Sequence, residues 1–190
     1  TTTGCCADHR CATCSPPRVS WMPPDGGYHV QHWYAQQARA DIALYCGRIE
    51  TGLAELRREL KALERALITR MRLHRCHALW LLARFLLARR KPTRELDGLA
   101  ERLWHEEIGY ARTWSLLIQA ALRQQRGQRQ AALDLLLQAA EQARVADLPQ
   151  YEQAARDRAG QLLGVELGTE HVRSALAFAA REAISDPARL

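Results

Sequence analysis

The sequence has few aromatic residues and no apolar run long enough to cross a membrane. Phe, Tyr and Trp make up only 6% of its 190 residues. The longest apolar run, "ALWLLARFLLA" at 78–88, is interrupted by Arg84 and falls short of the roughly 18 to 20 residues that a span requires. No basic start followed by an apolar stretch marks a secretion signal near Thr1. We therefore predict a cytoplasmic location without membrane contact, and we expect the chain to be part of a longer protein.

Nucleotide-binding and phosphoryl-transfer motifs are also missing. Neither G-x-G-x-x-G nor G-x-x-x-x-G-K-[ST] occurs, and "GVELGT" at 164–169 has no lysine to meet a phosphate. A kinase needs a glycine-rich phosphate cover, a strand lysine and metal-binding aspartate because positioning and charge neutralisation drive the transfer. We predict that this chain is not an enzyme and binds no cofactor.

The charge is mildly basic. Lys and Arg number 27 against 21 Asp and Glu, a net charge of +6 with histidine neutral. The arginines are interspersed with glutamates, as in "ELRRELKALERAL" at 55–67, which is typical of solvated helix faces with local ion pairs. Because no dense basic run or interleaved aromatic residues mark a binding track, the sequence argues against a nucleic-acid partner.

Four of the six cysteines crowd into ten residues near the N-terminus. With the neighbouring His9 they supply enough soft ligands for Zn²⁺, and two of them have the usual two-residue spacer. Structural zinc sites divide their ligand pairs around a longer loop, so an unstructured reactive segment is the favoured interpretation and a metal site the alternative. The cluster consists of Cys5, Cys6, His9, Cys11 and Cys14.

The remaining cysteines and histidines are interpreted as structural. Cys46 and Cys76 fall on mainly apolar helix faces, which predicts small core residues and a reducing compartment. Histidines three residues apart can chelate a metal, but matching acidic partners are missing here. The clusters interpreted in this way, without a metal or acid/base role, are His29 with His32, His74 with Cys76 and His77, and His105 beside Glu106 and Glu107.

The two ends of the chain differ from its middle. Residues 1–27 show no periodicity and hold four of the seven prolines, at positions 16, 17, 23 and 24, which oppose a helix. We predict a disordered linker at 1–27, a folded domain at 28–184 and a C-terminal tail at 185–190.

The middle of the chain predicts an all-α fold, because Ala, Leu, Arg, Gln and Glu dominate it. A helix from Tyr28 ends before Gly47, and a second helix carries a leucine stripe that runs to Leu67. The most apolar helix is predicted at 69–91, and the next one begins after a Thr93 cap. The helix faces include three tryptophans predicted to anchor the core: Trp80, Trp104 and Trp114. The alternative is that such aromatic residues are exposed on a concave solenoid face and act as binding hot spots.

A glycine interrupts the apolar pattern of "ALRQQRGQRQAALDLLLQAA" at 121–140. If Gly127 caps one helix, the stripes on either side face each other across a short turn and hide apolar surface that a straight helix would expose. We therefore predict two helices. A further pair follows, with one helix from Pro149 to Gly164 and a last helix capped by Thr169.

The turn at Gly47 is followed five residues later by Gly52, as Gly127 is followed by Ala132. Small residues there permit close helix packing, and the turns define units of about 40 residues, a period typical of helical solenoids. The pattern resembles the tetratricopeptide repeat. Its best copy is 113–146, in which Leu136 replaces an aromatic residue. We predict a right-handed α-solenoid of three to four antiparallel helical hairpins.

Longer segments resemble the C-terminal helical-repeat region of large bacterial serine/threonine protein kinases of the eukaryotic-like class. These include "HVQHWYAQQARADIALYCGRIETGLAEL" at 29–56, "RCHALWLLARFLLA" at 75–88 and "ISDPARL" at 184–190. The resemblance implies that a kinase domain precedes residue 1 and that the repeats act as a sensor, scaffold or docking region. Similar repeats follow the ATPase modules of large bacterial transcription activators, so a regulatory segment of such an activator is the alternative.

The prediction for function is a non-catalytic protein–protein interaction region in signal transduction. A protein or peptide would bind the concave face, which the first helix of each hairpin lines, and self-association is an alternative use of the repeats. The polar residues predicted to contact the partner are Gln36, Arg39, Arg123 and Gln124.

Overall fold

A computed structural model describes residues 26–90 and 94–184 of the chain. The described residues form eight α-helices and no strand, so the predicted all-α class is confirmed. They divide into two compact units, unit 1 up to Arg89 and unit 2 from Arg90 onward. The helices are α1 (Val30–Tyr45), α2 (Ile49–Arg65), α3 (Arg72–Ala88), α4 (Arg94–Trp104), α5 (Gly109–Gln125), α6 (Arg129–Val145), α7 (Pro149–Leu163) and α8 (Val165–Arg181).

Unit 1 is built from α1, α2 and α3, with a short 3₁₀ helix (Ile68–Arg70) before α3. Its core is filled by large side chains that are fully buried, among them Trp33, Leu56 and Phe85. A Cβ atom added at Gly52 would lie 2.7 Å from the Phe85 ring and 2.9 Å from the Cβ of Ala43. The predicted use of a small residue for close packing is therefore confirmed at this position.

In unit 2 each helix from α4 to α8 packs against the next one along the chain. Leu116 of α5 packs with Ala139 and Ala140 of α6 and with Ala155 of α7. The mixture of leucine and alanine is what allows three helices to approach one another, because small side chains admit a neighbouring helix and leucines fill the space between them.

Gly127 separates two helices, as the sequence predicted. Its φ angle is +74°, in the left-handed region that glycine enters without steric cost. The Gly127 N–H donates to the Gln124 carbonyl at 3.0 Å, and the Gln128 N–H donates to the Arg123 carbonyl at 2.9 Å. This pair of hydrogen bonds is the Schellman motif, which satisfies the last carbonyls of α5 and reverses the chain.

The same hydrogen-bond pattern ends α1, α6 and α8. The N–H groups of Arg48, Leu148 and Ile184 donate to carbonyls five residues earlier, at 2.8, 2.9 and 2.9 Å. At α6 and α8 the left-handed residue is Asp147 or Ala183 instead of glycine. The same hydrogen-bond pattern and a left-handed residue therefore occur in three connections of three residues that differ in sequence, 46–48, 126–128 and 146–148.

Three predicted details of the helices are wrong. The most apolar helix spans Arg72–Ala88 instead of 69–91, since a 3₁₀ turn comes first. Leu67 does not continue the stripe of α2, because it lies after the helix at φ +59° with 53% of its surface exposed. Thr169 lies inside α8, where its hydroxyl donates to the Val165 carbonyl and Gly164 occupies the N-cap position. The predicted Thr93 cap and the tails at 1–25 and 185–190 lie outside the described residues.

None of the helices in the described ranges is both long and apolar enough to cross a membrane.

Helices α7 and α8 meet through two glycines. A Cβ atom added at Gly168 would lie 2.0 Å from the Gly160 carbonyl oxygen and 2.9 Å from the Gly160 Cα. A single residue, Gly164, connects these helices, so they have little freedom to separate. The backbones therefore touch where no side chain fits.

We expect Gly168→Ala to lower the free energy of unfolding by about 1–3 kcal/mol, because the new methyl group meets rigid backbone of α7. The matched control is Gly98→Ala in α4, where an added Cβ meets nothing within 4 Å. The control should raise stability by about 0.5–1 kcal/mol, since alanine favours a helix interior. Urea unfolding followed by circular dichroism measures both variants. Equal stabilities of the two would contradict the close contact of α7 with α8.

Candidate interaction groove

A groove of about 470 Å³ lies on unit 2 among α4, α5 and α6. We call it the unit-2 groove. Buried or partly buried side chains form its apolar floor, and charged or amide side chains form its rim. The floor consists of Ala100, Leu116, Leu122 and Leu135, and the rim includes Asp97, Glu101, Gln119, Arg123, Arg126 and Gln138.

A buried hydroxyl group fixes α4 against α5 beneath the groove. The Ser115 hydroxyl donates to the Ala100 carbonyl at 2.7 Å, and the Gln119 amide donates to the Ser115 hydroxyl at 3.0 Å. On the surface, the Arg126 guanidinium lies 2.7 Å from the Asp97 carboxylate. A hydrogen bond in the core and an ion pair at the rim thus connect the same two helices, α4 and α5.

Trp104 stands at one end of the unit-2 groove with 42% of its surface exposed. The prediction that it anchors the core is therefore wrong. Trp104 is the last residue of α4, and the preceding residue, Leu103, fills the core position with no exposed surface. The Arg112 guanidinium lies 5.5 Å from the Trp104 ring centroid, a cation–π arrangement that holds the exposed indole in place.

Trp80 and Trp114, the other two tryptophans predicted to anchor the core, are less exposed than Trp104. Trp114 is only 5% exposed, as predicted for a core anchor. Trp80 is half-buried, and the Arg84 guanidinium lies 5.9 Å from its ring centroid.

The four residues predicted to contact a partner lie in two different units. Arg123 lines the unit-2 groove, where its side chain donates to the Gln128 amide oxygen at 2.9 Å, and Gln124 is exposed beside it on α5. Gln36 and Arg39 lie on α1 in unit 1. Gln36 is only 3% exposed and Arg39 is half-buried. Periodicity did not reveal that the Gln36 amide faces the interior.

The sequence interpretation also missed most of the groove rim. Asp97, Glu101 and Gln119 looked like ordinary polar positions on amphipathic helices. Their arrangement depends on how α4 meets α5, and Ser115 sets that contact from a position that carries no motif. The available signal for Trp104 was the alternative that a tryptophan exposed on a concave repeat surface serves as a binding residue.

His74 and His77 lie on α3 against α1. His74 is 5% exposed, the Tyr34 ring packs edge-on to it at 5.6 Å, and its Nδ1 atom has no hydrogen-bond partner among the described residues. The Gln37 amide nitrogen and His77 Nδ1 are 2.8 Å apart. Because an amide N–H must donate, the imidazole accepts at Nδ1 and is neutral in this arrangement.

Burial lowers the pKa of His77, and the neighbouring His74 lowers it further, while the Asp41 carboxylate acts in the opposite direction. Arg84 pairs with that carboxylate, which weakens its ability to stabilise a protonated imidazole. The site therefore favours uncharged His77.

The other two histidine clusters lie at helix ends, one at the start of α1 and one after the end of α4. The backbone N–H of His29 donates to His32 Nδ1 at 2.9 Å, so this i, i+3 pair closes the first turn of α1. His105 lies in the turn after α4, with its Nε2 atom 3.9 Å from the Glu101 carboxylate, and both side chains are largely exposed. Within the described ranges, no three His, Cys, Asp or Glu side chains are grouped so as to hold a metal ion.

The two cysteines within the described helical region differ. Cys76 is fully buried, which confirms the prediction of a small core residue. Cys46, at the C-cap of α1, is only half-buried, so it is not the buried core residue that the sequence predicted. The cluster from Cys5 to Cys14, and with it the proposed zinc site, lies outside the described residues.

No protein-family model, curated protein or solved structure matches the chain. The resemblance to kinase-associated tetratricopeptide-like repeats therefore stays a prediction from the sequence.

We expect the stability of unit 1 to fall as the pH drops below about 6.5, the ordinary pKa of histidine. The pKa of His77 is lowered in the folded state, so the unfolded chain binds more protons in this range and stability rises with pH. Urea unfolding at pH 5 and pH 7.5 measures the difference. His77→Gln should reduce the pH dependence, whereas the exposed control His105→Gln should leave it unchanged. An unaltered pH dependence in His77→Gln would refute the assignment.

Proposed function

We propose that the chain is a non-catalytic protein–protein interaction region built as a tetratricopeptide-like α-solenoid of helical hairpins. Sequential packing of α4 to α8 and three connections of equal length are consistent with a stack of repeated helical units. The proposal of a protein-binding role rests on the unit-2 groove, which combines the exposed Trp104 with an apolar floor and a charged rim.

The chemistry of the groove suits a peptide or a helix of another protein. Trp104 offers a large, rigid surface at low entropic cost, and its cation–π contact with Arg112 holds it ready for a partner. Tryptophan and arginine are the residues that most often dominate interface energies. Leu116, Leu122 and Leu135 provide the apolar surface on which such an anchor is desolvated.

The rim gives the groove a means of selection. Asp97 and Glu101 lie on α4, while Arg123 and Arg126 lie on α5, so opposite charges border the floor. A partner with the complementary order of charges is favoured, and one with the reverse order meets like charges. Because Asp97 and Arg126 already pair with each other, Glu101 and Arg123 are the rim charges that select a partner.

The proposed parent protein is a bacterial serine/threonine protein kinase, with this chain as its C-terminal scaffold or docking region in the cytoplasm. The support is the resemblance of the segments at 29–56 and 75–88. Sequencing the coding region upstream of Thr1 tests this part. A kinase domain in the same reading frame is expected, and an ATPase module there would favour the transcription-activator alternative.

The interaction itself is tested with the full 190-residue chain as bait in a bacterial lysate. We expect a small set of proteins that Trp104→Ala and Arg123→Glu each reduce by at least about tenfold, a loss of roughly 1.4 kcal/mol. Quantitative mass spectrometry of the captured proteins measures this loss.

The control for the charge change is Arg173→Glu, an exposed position on α8 that does not line the groove. It should capture the same proteins as the unaltered chain. Equal capture by Trp104→Ala, Arg123→Glu and the unaltered bait would contradict the assignment of the unit-2 groove.

A further inference from the structure

One side of α8 carries a row of uncharged residues that we call the α8 stripe. It consists of Val165, Thr169, Val172 and Leu176. Val165 is 88% exposed and Leu176 is 52% exposed, while Val172 is half-buried. Among the described helices, α7 is the main neighbour of α8, and it leaves most of the stripe open to solvent.

The one polar member of the α8 stripe does not prevent the stripe from being buried. The Thr169 hydroxyl donates to the Val165 carbonyl within the same helix. Because this polar group already has a partner, covering it with apolar surface leaves no unsatisfied donor. All four positions of the stripe can therefore be removed from water at little cost.

The spacing of the α8 stripe is that of a helix that packs along another helix. Its members follow one another at intervals of four, three and four residues, as the a and d positions of a heptad do. In this frame Val165 and Val172 occupy d, and Thr169 and Leu176 occupy a. The stripe is therefore suited to a second helix with the same spacing.

Two charged residues border the α8 stripe on its solvent side. Glu166 and Arg173 each follow a valine of the stripe, so both occupy position e of the heptad frame. Both side chains are exposed, and neither has an ionic or hydrogen-bonded partner among the described residues. One negative and one positive charge are thus available to a partner, seven residues apart on the same border.

A second copy of α8 in antiparallel orientation satisfies the apolar positions. In such a pair a residue at position a lies opposite a residue at position d of the other copy. Val165 of one copy then lies opposite Leu176 of the second copy, and Thr169 lies opposite Val172. A two-fold axis repeats both contacts, so the pair closes with four apolar layers.

The same antiparallel register pairs the charges. It brings Glu166 of one copy beside Arg173 of the second copy, and the two-fold axis repeats this ion pair. A parallel pair would place each e residue opposite position g of the other helix. The g residues here are Gly168 and Ala175, which are buried and carry no charge. Charge complementarity therefore favours the antiparallel pair.

We propose that the chain forms a two-fold symmetric dimer through antiparallel packing of the α8 stripe on the same stripe of a second copy. The contact is small, so the dimer is weak and depends on concentration. The inference goes beyond the proposed function, because the stripe lies outside the unit-2 groove. At the low bait concentration of the capture experiment the chain is monomeric, so Arg173→Glu keeps its value there as a control.

Sedimentation equilibrium of the full 190-residue chain measures the dimer. Concentrations from about 1 μM to about 1 mM cover the range of weak association. A reducing buffer prevents the six cysteines from linking copies through disulfides. We expect a monomer–dimer equilibrium with a dissociation constant within this range.

Two leucines of α8 provide a matched pair of variants. Leu176→Glu should weaken the dimer by at least about tenfold, because it places a carboxylate in an apolar layer twice per dimer. Leu167 is 73% exposed and lies nine residues from Leu176, about two and a half turns, so it faces the opposite side of α8. Leu167→Glu should leave the dissociation constant unchanged.

A third variant is expected to strengthen the dimer. Thr169→Leu adds apolar surface opposite Val172 of the second copy and should tighten association by about threefold or more. Because misfolding cannot produce a tighter dimer of the same stoichiometry, this result separates the stripe from a general effect of substitution.

Charge reversal tests the antiparallel register. Glu166→Arg and Arg173→Glu each bring like charges together, so each variant alone should dimerise about threefold or more weakly than the unaltered chain. In a mixture of the two variants, both contacts between positions 166 and 173 join opposite charges. The mixed dimer should therefore regain the affinity of the unaltered chain.

A chain that stays monomeric up to about 1 mM overturns the proposal. So does equal weakening by Leu176→Glu and Leu167→Glu, because the stripe would then have no special role. A mixture of the charge-reversed variants that associates no more tightly than either variant alone overturns the antiparallel dimer. The capture experiment alters α4 and α5 only, so failure of the dimer and failure of the unit-2 groove are distinguishable.

Discussion

The residue with positive φ at the end of each helix is the constraint on which the architecture depends. In the described ranges all eight α-helices are followed by such a residue, three of them by Gly47, Gly127 and Gly164. At four of these ends the Schellman hydrogen bonds satisfy carbonyl groups that a helix terminus leaves open. Within each unit the next helix begins within a few residues, so its axis must run back along the one before.

Small residues then determine how close successive helices come. Gly160 and Gly168 bring the backbones of α7 and α8 into contact, and Gly52 admits the Phe85 ring to the surface of α2. Ser115 adds a directional element, because its hydroxyl joins α5 to the Ala100 carbonyl of α4. The packing of α4 against α5 therefore determines which apolar residues form the floor of the unit-2 groove, and the charged residues around it determine which partners it attracts.

Much of the fold was predictable because its signals are local. Apolar periodicity located the helices, and glycine or proline marked the ends at Gly47, Gly127 and Pro149. The turn at Asp147 carries no glycine, and a non-glycine residue in the left-handed region depends on the packing of both flanking helices, at a cost of about 1–3 kcal/mol. Periodicity alone could not identify this turn. It also could not show that the N-cap of α8 is Gly164, five residues before the predicted Thr169 cap.

The surfaces were less predictable because they join residues from different helices. Arg123 was identified from its own helix, but its neighbours in the groove come from α4 and α6. Gln36 looked like an outward polar residue and is buried. Trp104 was predicted to lie in the core and is exposed. It is the last residue of α4, and the residue before it, Leu103, is the one that is buried. Patterns within one helix give its inner and outer faces, but only the packing shows which outer faces meet.

The equivalence of the turns also bears on how such a chain changes in length during evolution. The connections at 46–48, 126–128 and 146–148 share three residues and one hydrogen-bonding scheme. A recombination event that joins the first half of one turn to the second half of another recreates a working turn, with a whole number of helices gained or lost between them. In unit 2 each helix packs mainly against its neighbours along the chain, so such an event changes the packing only at the new junction. Gene duplication and deletion can therefore vary the number of binding surfaces without redesign of the core.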